Sequence, residues 1–374
     1  MSKNVYCPMI HGGLHINYKN NSGDLGVNQC CLSTSSLVTI DNAKVWDSQN
    51  FDYVRQINNK NQWNSDCWQC KQIENSGAKS FRQSMIEHFG EQYNLSGPLR
   101  IDFLFDRSCN LACTICNPNS STLWQQYSKK HNLPLIKIDN TPNVDQVIAV
   151  LKTLDLSNLE QVQFCGGETL LGTSYWKVAE VLANLVPNAD KKLLVGFQTN
   201  GTQPIDPKYY KLLEKFKLVK LFISIDGIGE KFNYLRWPAD WNQVSDNIMH
   251  MRENLPVNVM FLIQETLSNF NLFYSDQVAA WIQTNFAINR LGDKIDHSQQ
   301  LAIHDYLGID VVTDEYVAAI SEKNIRNMLP WDWQENPEKI KKMLKETTMH
   351  DKIRNHDWRL VFPEIAEYYS RYTQ

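Results

Sequence analysis

Leu99-Arg100-Ile101-Asp102-Phe103-Leu104-Phe105, followed by Asp106-Arg107-Ser108-Cys109-Asn110-Leu111-Ala112-Cys113-Thr114-Ile115-Cys116, organises the whole chain. The first seven residues form an apolar-rich run of strand length, and the rest deliver three cysteines as C-x3-C-x2-C at the strand's C-terminal end. A structural zinc site closes with four ligands, and an electron-transfer iron–sulfur cluster ordinarily takes four cysteines. Three thiolates leave one iron of such a cluster open. An open iron can chelate a small molecule, so the spacing reads as a reactive metal loop.

Further along, Leu159-Glu160-Gln161-Val162-Gln163-Phe164-Cys165 reads as a buried strand that stops at Gly166-Gly167-Glu168. Two glycines permit a sharp turn and close approach to a ligand, and a carboxylate just past them can accept hydrogen bonds from a cationic amine. A glycine pair alone marks ordinary turns. Following the cysteine triplet in this order, it makes the chain resemble the radical S-adenosylmethionine (SAM) superfamily. The resemblance implies a [4Fe-4S] cluster on Cys109, Cys113 and Cys116, with the amino and carboxylate groups of SAM on the free iron. One electron then splits the sulfonium to give a 5'-deoxyadenosyl radical, which abstracts hydrogen from a substrate. Gly166, Gly167 and Glu168 would bind the SAM amino group. The chain departs from the family at three positions. Ile115 stands where an aromatic lies against the adenine, Cys165 where threonine precedes the glycines, and Thr169 where proline follows the glutamate. Apolar contact to the adenine survives without ring stacking.

Five of the nine cysteines precede this loop: Cys7, Cys30, Cys31, Cys67 and Cys70. A C-x2-C step such as Cys67 to Cys70 brings two thiolates to one metal. Cys7 and one of the adjacent pair complete four. Neighbours on an extended chain point to opposite faces, so Cys30 is the expected ligand and Cys31 the alternative. This segment resembles the twitch domain that carries an auxiliary cluster in some SAM radical enzymes, related to the SPASM extension but placed before the barrel. Zinc is the alternative occupant, because spacing does not separate the two metals. Cys165 reads as a buried core thiol.

The remainder alternates strands and helices: strands over 192–199, 219–225 and 257–263, a short one over 286–289, and helices over 120–130, 144–154, 174–185, 209–216, 241–253 and 272–284. Such alternation implies parallel strands with right-handed crossovers, hence an α/β fold with a partial (β/α)6 TIM-type barrel. Sites on such barrels gather at the C-terminal strand ends. There the chain places Asp106, Glu168, Gln198 with Asn200, Ser224 with Asp226, and Gln264 with Glu265. By resemblance, Gln198, Asn200, Ser224 and Asp226 would hold the ribose and methionine groups of SAM, and Arg236 would pair with its carboxylate. Read without the resemblance, each is a turn or cap residue. The expected organisation is a twitch-like segment over 1–96, a barrel over 97–290 and a helical C-terminal cap over 291–374. Within the cap, His350-Asp351-Lys352-Ile353-Arg354-Asn355-His356-Asp357-Trp358 reads either as a substrate-recognition stretch or as a solvated helix end.

The 374 residues, with 43% hydrophobic and 21% charged content, are ordinary globular composition. A net charge of -4 argues against a broad nucleic-acid surface. No apolar run reaches the roughly 18 residues of a membrane helix. An odd number of clustered cysteines suits metal binding in a reducing, cytoplasmic compartment. Expected partners are a small-molecule or peptide substrate and a reductase such as flavodoxin or ferredoxin. The alternatives are a non-enzymatic zinc or iron–sulfur protein that binds or carries electrons, and a radical enzyme modifying a nucleotide or tRNA.

Overall fold

The structure is a computed structural model, described here for residues 4–18, 25–33, 38–39, 45–134, 143–286, 297–302, 305–322 and 333–372. It divides into two compact units. The first comprises Met1–Ser108, Ile136–Gln198 and Ile205–Lys220, and the second Cys109–Leu135, Thr199–Pro204 and Leu221–Gln374.

In the first unit, strands β1 (Gly13–Tyr18), β2 (Leu25–Asn28), β3 (Val38–Thr39), β4 (Arg100–Leu104), β5 (Gln161–Phe164) and β6 (Leu194–Thr199) lie side by side in the order β3-β2-β1-β4-β5-β6. The β1–β2 and β2–β3 pairs are antiparallel, and β1, β4, β5 and β6 run parallel. Register places Leu14, Ile101, Val162 and Val195 in one row and His15, Asp102, Gln163 and Gly196 in the next. Because side chains alternate across a strand, the two rows face opposite ways. The apolar row is fully buried. Helix Ser174–Leu185 carries Tyr175, Trp176, Val178, Ala179 and Leu182 on one buried face. Its Tyr175 ring packs on Phe105 and Phe164, and Trp176 on Phe197. The other row is polar, yet His15 and Asp102 are buried too.

In the second unit, β7 (Leu218–Ser224, its last four residues in this unit), β8 (Val259–Leu267) and β9 (His297–Leu301) are neighbours in that order, and β9 runs parallel to β8. An aromatic core of Tyr234, Phe270, Tyr316, Trp358, Phe362 and Tyr369 joins helices Asp314–Glu322, Pro337–Arg354 and Pro363–Tyr368. Asp240 caps helix Trp241–Asn254 by accepting from the Gln243 N–H.

The fold is α/β with parallel β/α repeats, as expected of a partial barrel. Two details differ from the sequence reading. The N-terminal segment adds a three-stranded extension to the sheet, with β1 hydrogen-bonded to β4 across the expected boundary at residue 96. Residues 287–289 of the strand expected at 286–289 lie outside the described residues. The parallel strand after helix Ser275–Asn285 is β9, in the stretch expected to be wholly helical. Its Ser298, Gln299 and Gln300 are exposed, so no apolar signal marks it.

Candidate functional site

In the second unit the loop over residues 109–116 is held backbone group by backbone group. Thr122 Oγ1 accepts from the Cys109 N–H at 3.0 Å. Ser121 Oγ donates to the Leu111 carbonyl, and Trp124 Nε1 donates to the Cys113 carbonyl at 2.9 Å. The Ala112 and Thr114 N–H groups donate to the carbonyls of Trp237 and Leu235, each at 2.7 Å. Ser121 and Thr122 do this because they open helix Thr122–Lys130, where Ser121 is the N-cap.

The charges around the thiols come from Asp226, just past the end of β7, and from Arg236, at the C-cap of helix Glu230–Leu235. Arg236 and Asp226 form a buried ion pair, Nη2 to Oδ2 at 2.7 Å, and Asp226 Oδ1 accepts from the Thr266 N–H. Burial pushes the Cys113 thiol pKa up, and the Arg236 guanidinium opposes that rise. Burial likewise raises Cys116 and Asp226, with Arg236 opposing both. Asn200 Nδ2 faces Cys109 Sγ at 3.9 Å and donates to Asn110 Oδ1 at 3.1 Å. Ser224 is buried, and Ile115 packs against the aromatic core of this unit. Arg236 Nε is buried with no partner among the described residues.

In the first unit, Gly166 has φ +154°, and a Cβ there would meet Tyr175 Oη at 2.3 Å and the Asp106 carbonyl at 2.4 Å. At Gly167 a Cβ would meet the Ser108 carbonyl at 2.4 Å. Both glycines are therefore demanded by the protein's own backbone at the exit of β4, where the sequence reading expected close approach to a ligand. The Glu168 N–H donates to the Ser108 carbonyl at 2.7 Å, and its Oε1 accepts from the Leu170 N–H at 2.9 Å. The carboxylate is almost wholly buried. The Gln198 carbonyl accepts from Thr169 Oγ1.

Also in the first unit, Cys7, Cys30, Cys67 and Cys70 line one cavity of about 340 Å³. Cys7 stands at the N-cap position of helix Pro8–Gly12 and Cys67 at that of helix Trp68–Asn75, which carries Cys70. Ser33 Oγ donates to Asp66 Oδ2 at 3.0 Å, tying the turn after Cys30 to the turn before Cys67. Burial pushes the Cys7 thiol up to about 12 and Cys67 up to about 11. Beside them Arg82 forms a bidentate pair with Glu74, Nε to Oε1 at 2.8 Å and Nη2 to Oε2 at 2.7 Å. Arg82 Nη1 also donates to the Tyr6 carbonyl next to Cys7. Cys31 does not line this cavity; the charges acting on it are those of Asp102, Cys30 and Arg100. All nine cysteines are free. Among the described residues, no three Cys, His, Asp or Glu side chains stand close enough to clasp a single metal ion.

Residues 104–274 match the family model described as the Radical SAM superfamily. Those residues are a radical SAM domain. No curated protein matches the chain. Among solved structures, native anSMEcpe with bound AdoMet shares 18% identity, covering 69% of this chain and 62% of its own, with a TM-score of 0.39. SuiB of Streptococcus suis bound to precursor peptide SuiA shares 11%, covering 88% and 60%, with a TM-score of 0.40. HemN, the coproporphyrinogen III oxidase of Escherichia coli, shares 13%, covering 68% and 52%, with a TM-score of 0.35. The chain spans about three-fifths of the length of the first two.

The residues of the radical SAM domain fit the cofactors the superfamily uses. Burial disfavours the thiolate at Cys113 and Cys116, the Arg236 guanidinium opposes that at both, and a metal ion bound by the thiols would add the further positive charge that thiolates need. The buried, unpartnered Arg236 Nε is a hydrogen-bond donor that a ligand would satisfy. The sequence reading missed Trp124, whose indole fixes the loop. It also left Glu265 as a mere strand-end residue. Glu265 is fully buried, its Oε2 accepts from Gln299 Nε2 at 2.8 Å and lies 3.2 Å from His297 Nε2, and burial raises its pKa. The β9 partners carry no motif that would have revealed this group. No helix among the described residues is long and apolar enough to cross a membrane.

Proposed function

We propose that this protein is a radical SAM enzyme that works with two iron–sulfur clusters on a peptide or small-metabolite substrate. The observation that carries the reading is the loop over residues 109–116, which offers three thiols without a fourth and is anchored at successive peptide groups. Cys109, Cys113 and Cys116 are the proposed ligands of a [4Fe-4S] cluster that binds SAM. Cys7, Cys30, Cys67 and Cys70, the four thiols of one cavity, are the proposed ligands of the auxiliary cluster, with zinc as the other occupant to test. The bound SAM cluster supplies the electron that opens a carbon–sulfur bond of SAM and yields the hydrogen-abstracting radical.

The chain's own residues supply binding and enclosure. Glu168 accepts from the SAM amino group, and Gly166 and Gly167 fix the turn that presents it. Gln198, Asn200, Ser224 and Asp226 hold the polar groups of SAM, while Asn200 Nδ2 orients toward Cys109 Sγ. Arg236, with Asp226 as its counter-charge, offers Nε–H to the SAM carboxylate. Ile115 covers the adenine. Burial of Cys109 and Asp226 keeps water from the cluster loop. A flavodoxin or ferredoxin is the proposed electron donor, and the cytoplasm the proposed compartment.

The test is anaerobic reconstitution with iron and sulfide, then dithionite and SAM, with iron counted and 5'-deoxyadenosine assayed. About eight irons per chain, four for each of two clusters, together with 5'-deoxyadenosine support the reading. Bound zinc and no SAM cleavage overturn it.

A further inference from the structure

The cluster loop has a fastening from far away in the chain, outside residues 104–274. Helix Pro337–Arg354 ends on Arg354, which is 9% exposed. Its Nη2 donates to the Ala112 carbonyl at 3.0 Å, across 242 positions of sequence. The guanidinium carbon lies 5.2 Å from the Trp124 ring, 5.2 Å from Tyr127 and 4.9 Å from Trp237. Such a three-ring cage favours a cation over an apolar chain of equal length. Two of its walls are bonded to the same loop, Trp124 through the Cys113 carbonyl and Trp237 through the Ala112 N–H. One turn earlier, Asp351 Oδ1 accepts from Tyr234 Oη at 2.8 Å, and the Tyr234 carbonyl accepts from Thr114 Oγ1. Asp351 Oδ2 accepts from the Trp358 N–H at 2.6 Å, which folds the chain back behind the helix end.

Resting on the assignment of residues 109–116 as the SAM-cluster loop, we propose that Arg354 is a positioning residue for that loop. The Ala112 peptide lies between Cys109 and Cys113. The peptide unit before Ala112 is held through its N–H by the Trp237 carbonyl and the unit after it through its carbonyl by Arg354, so both peptide planes flanking Ala112 are fixed, and with them the direction in which Cys113 leaves the loop. Without Arg354 the buried carbonyl has lost its donor, and the peptide turns to find another. With Asp351 and Arg354 buried, the stretch over 350–358 is not a solvated helix end. It latches the metal loop, and the segment after the barrel is part of the cluster site.

Arg354→Met keeps the length of the side chain and removes the charge and the donor; Arg354→Lys restores a cation and a single donor. Arg359→Met, at an exposed arginine of the same tail, is the control. Thiol alkylation of the metal-free protein, resolved by peptide mass spectrometry, reads the loop whether or not a cluster loads. The expected result is at least tenfold faster labelling of Cys113 in Arg354→Met, with Cys7 and Cys70 unchanged, partial return in Arg354→Lys and no effect of Arg359→Met. In reconstituted protein, the electron paramagnetic resonance shift that SAM induces in the reduced cluster should broaden or vanish in Arg354→Met and return in Arg354→Lys. Equal labelling of Cys113 in wild type and Arg354→Met overturns the proposal, as does uniform labelling of all cysteines, which would mean global loosening. Failure of the wild type to take up any cluster would instead defeat the enzyme reading, while the labelling result still decides whether Arg354 holds the loop.

Discussion

Glu74→Gln tests the charge logic of the four-cysteine cavity. Glu74 and Arg82 side chains are only 4% and 6% exposed, and the carboxylate takes two guanidinium hydrogen bonds and a third from Ser80 Oγ at 2.7 Å. The amide that replaces it can keep one acceptor toward Arg82 Nε, but its NH2 then faces Nη2, donor against donor. A buried guanidinium is left without its counter-charge, and breaking such a pair costs about 3–5 kcal/mol. Denaturant unfolding of the metal-free protein, followed by tryptophan fluorescence, should show a loss in that range; Trp63, stacked on Arg82 at 5.1 Å, is a local reporter. Adding Arg82→Met should recover most of the loss, because removing both charges leaves nothing unpaired. The same Glu74→Gln protein should alkylate Cys67 faster, since Arg82 lowers that thiol's pKa and is no longer neutralised. A loss under about 1 kcal/mol, the range of an exposed pair, would refute the reasoning.

Other outcomes follow from the same geometry. Gly167→Ala drives a methyl into the Ser108 and Arg107 carbonyls and should cost about 1–3 kcal/mol, measured by thermal unfolding. Alanine at Cys7, Cys67 or Cys70 should remove the proposed auxiliary metal while Cys31→Ala leaves it, as iron and zinc analysis would show. Cys113→Ala should abolish 5'-deoxyadenosine formation and spare the auxiliary metal. Burial lowers the His350 pKa to about 4, so between the unfolded value near 6.5 and 4 the unfolded chain binds a proton the folded one refuses. That contribution is absent above pH 6.5 and costs up to about 3 kcal/mol by pH 4. His350→Gln should therefore flatten the fall in melting temperature between pH 7 and pH 5; an unchanged slope would count against it.

The parts legible in the sequence were those with local causes. Helix Ser174–Leu185 has the expected bounds because its apolar residues recur at helical spacing, and β4 and β5 alternate buried apolar residues with polar ones and are closed by polar turns. The three-cysteine loop is a matter of spacing alone. The preference for Cys30 over Cys31 came from opposite-facing neighbours, and in the structure only Cys30 lines the cavity. Strand β1, which the sequence reading did not include, has a local signal as well, since Gly13-Leu14-His15-Ile16-Asn17-Tyr18 alternates apolar and polar residues. What stayed hidden depends on distant partners. β9 is a polar edge strand with no apolar face. The reason for Gly167 lies in carbonyls of residues 107 and 108, and Arg354 acquires its meaning from a peptide 242 positions away.

The Arg354–Ala112 hydrogen bond also sets an order of events in the cell. At about 5–20 residues per second, a ribosome needs on the order of 10–50 s to pass from Ala112 to Arg354. Throughout that interval the cysteine loop exists without its last tie, its thiols open to oxidation or to a passing zinc ion. On the proposed assignment of Cys109, Cys113 and Cys116, loading the loop with iron and sulfide is best timed after release of the chain, and a truncated or nicked tail would yield protein that is made in full amount yet accepts that metal poorly.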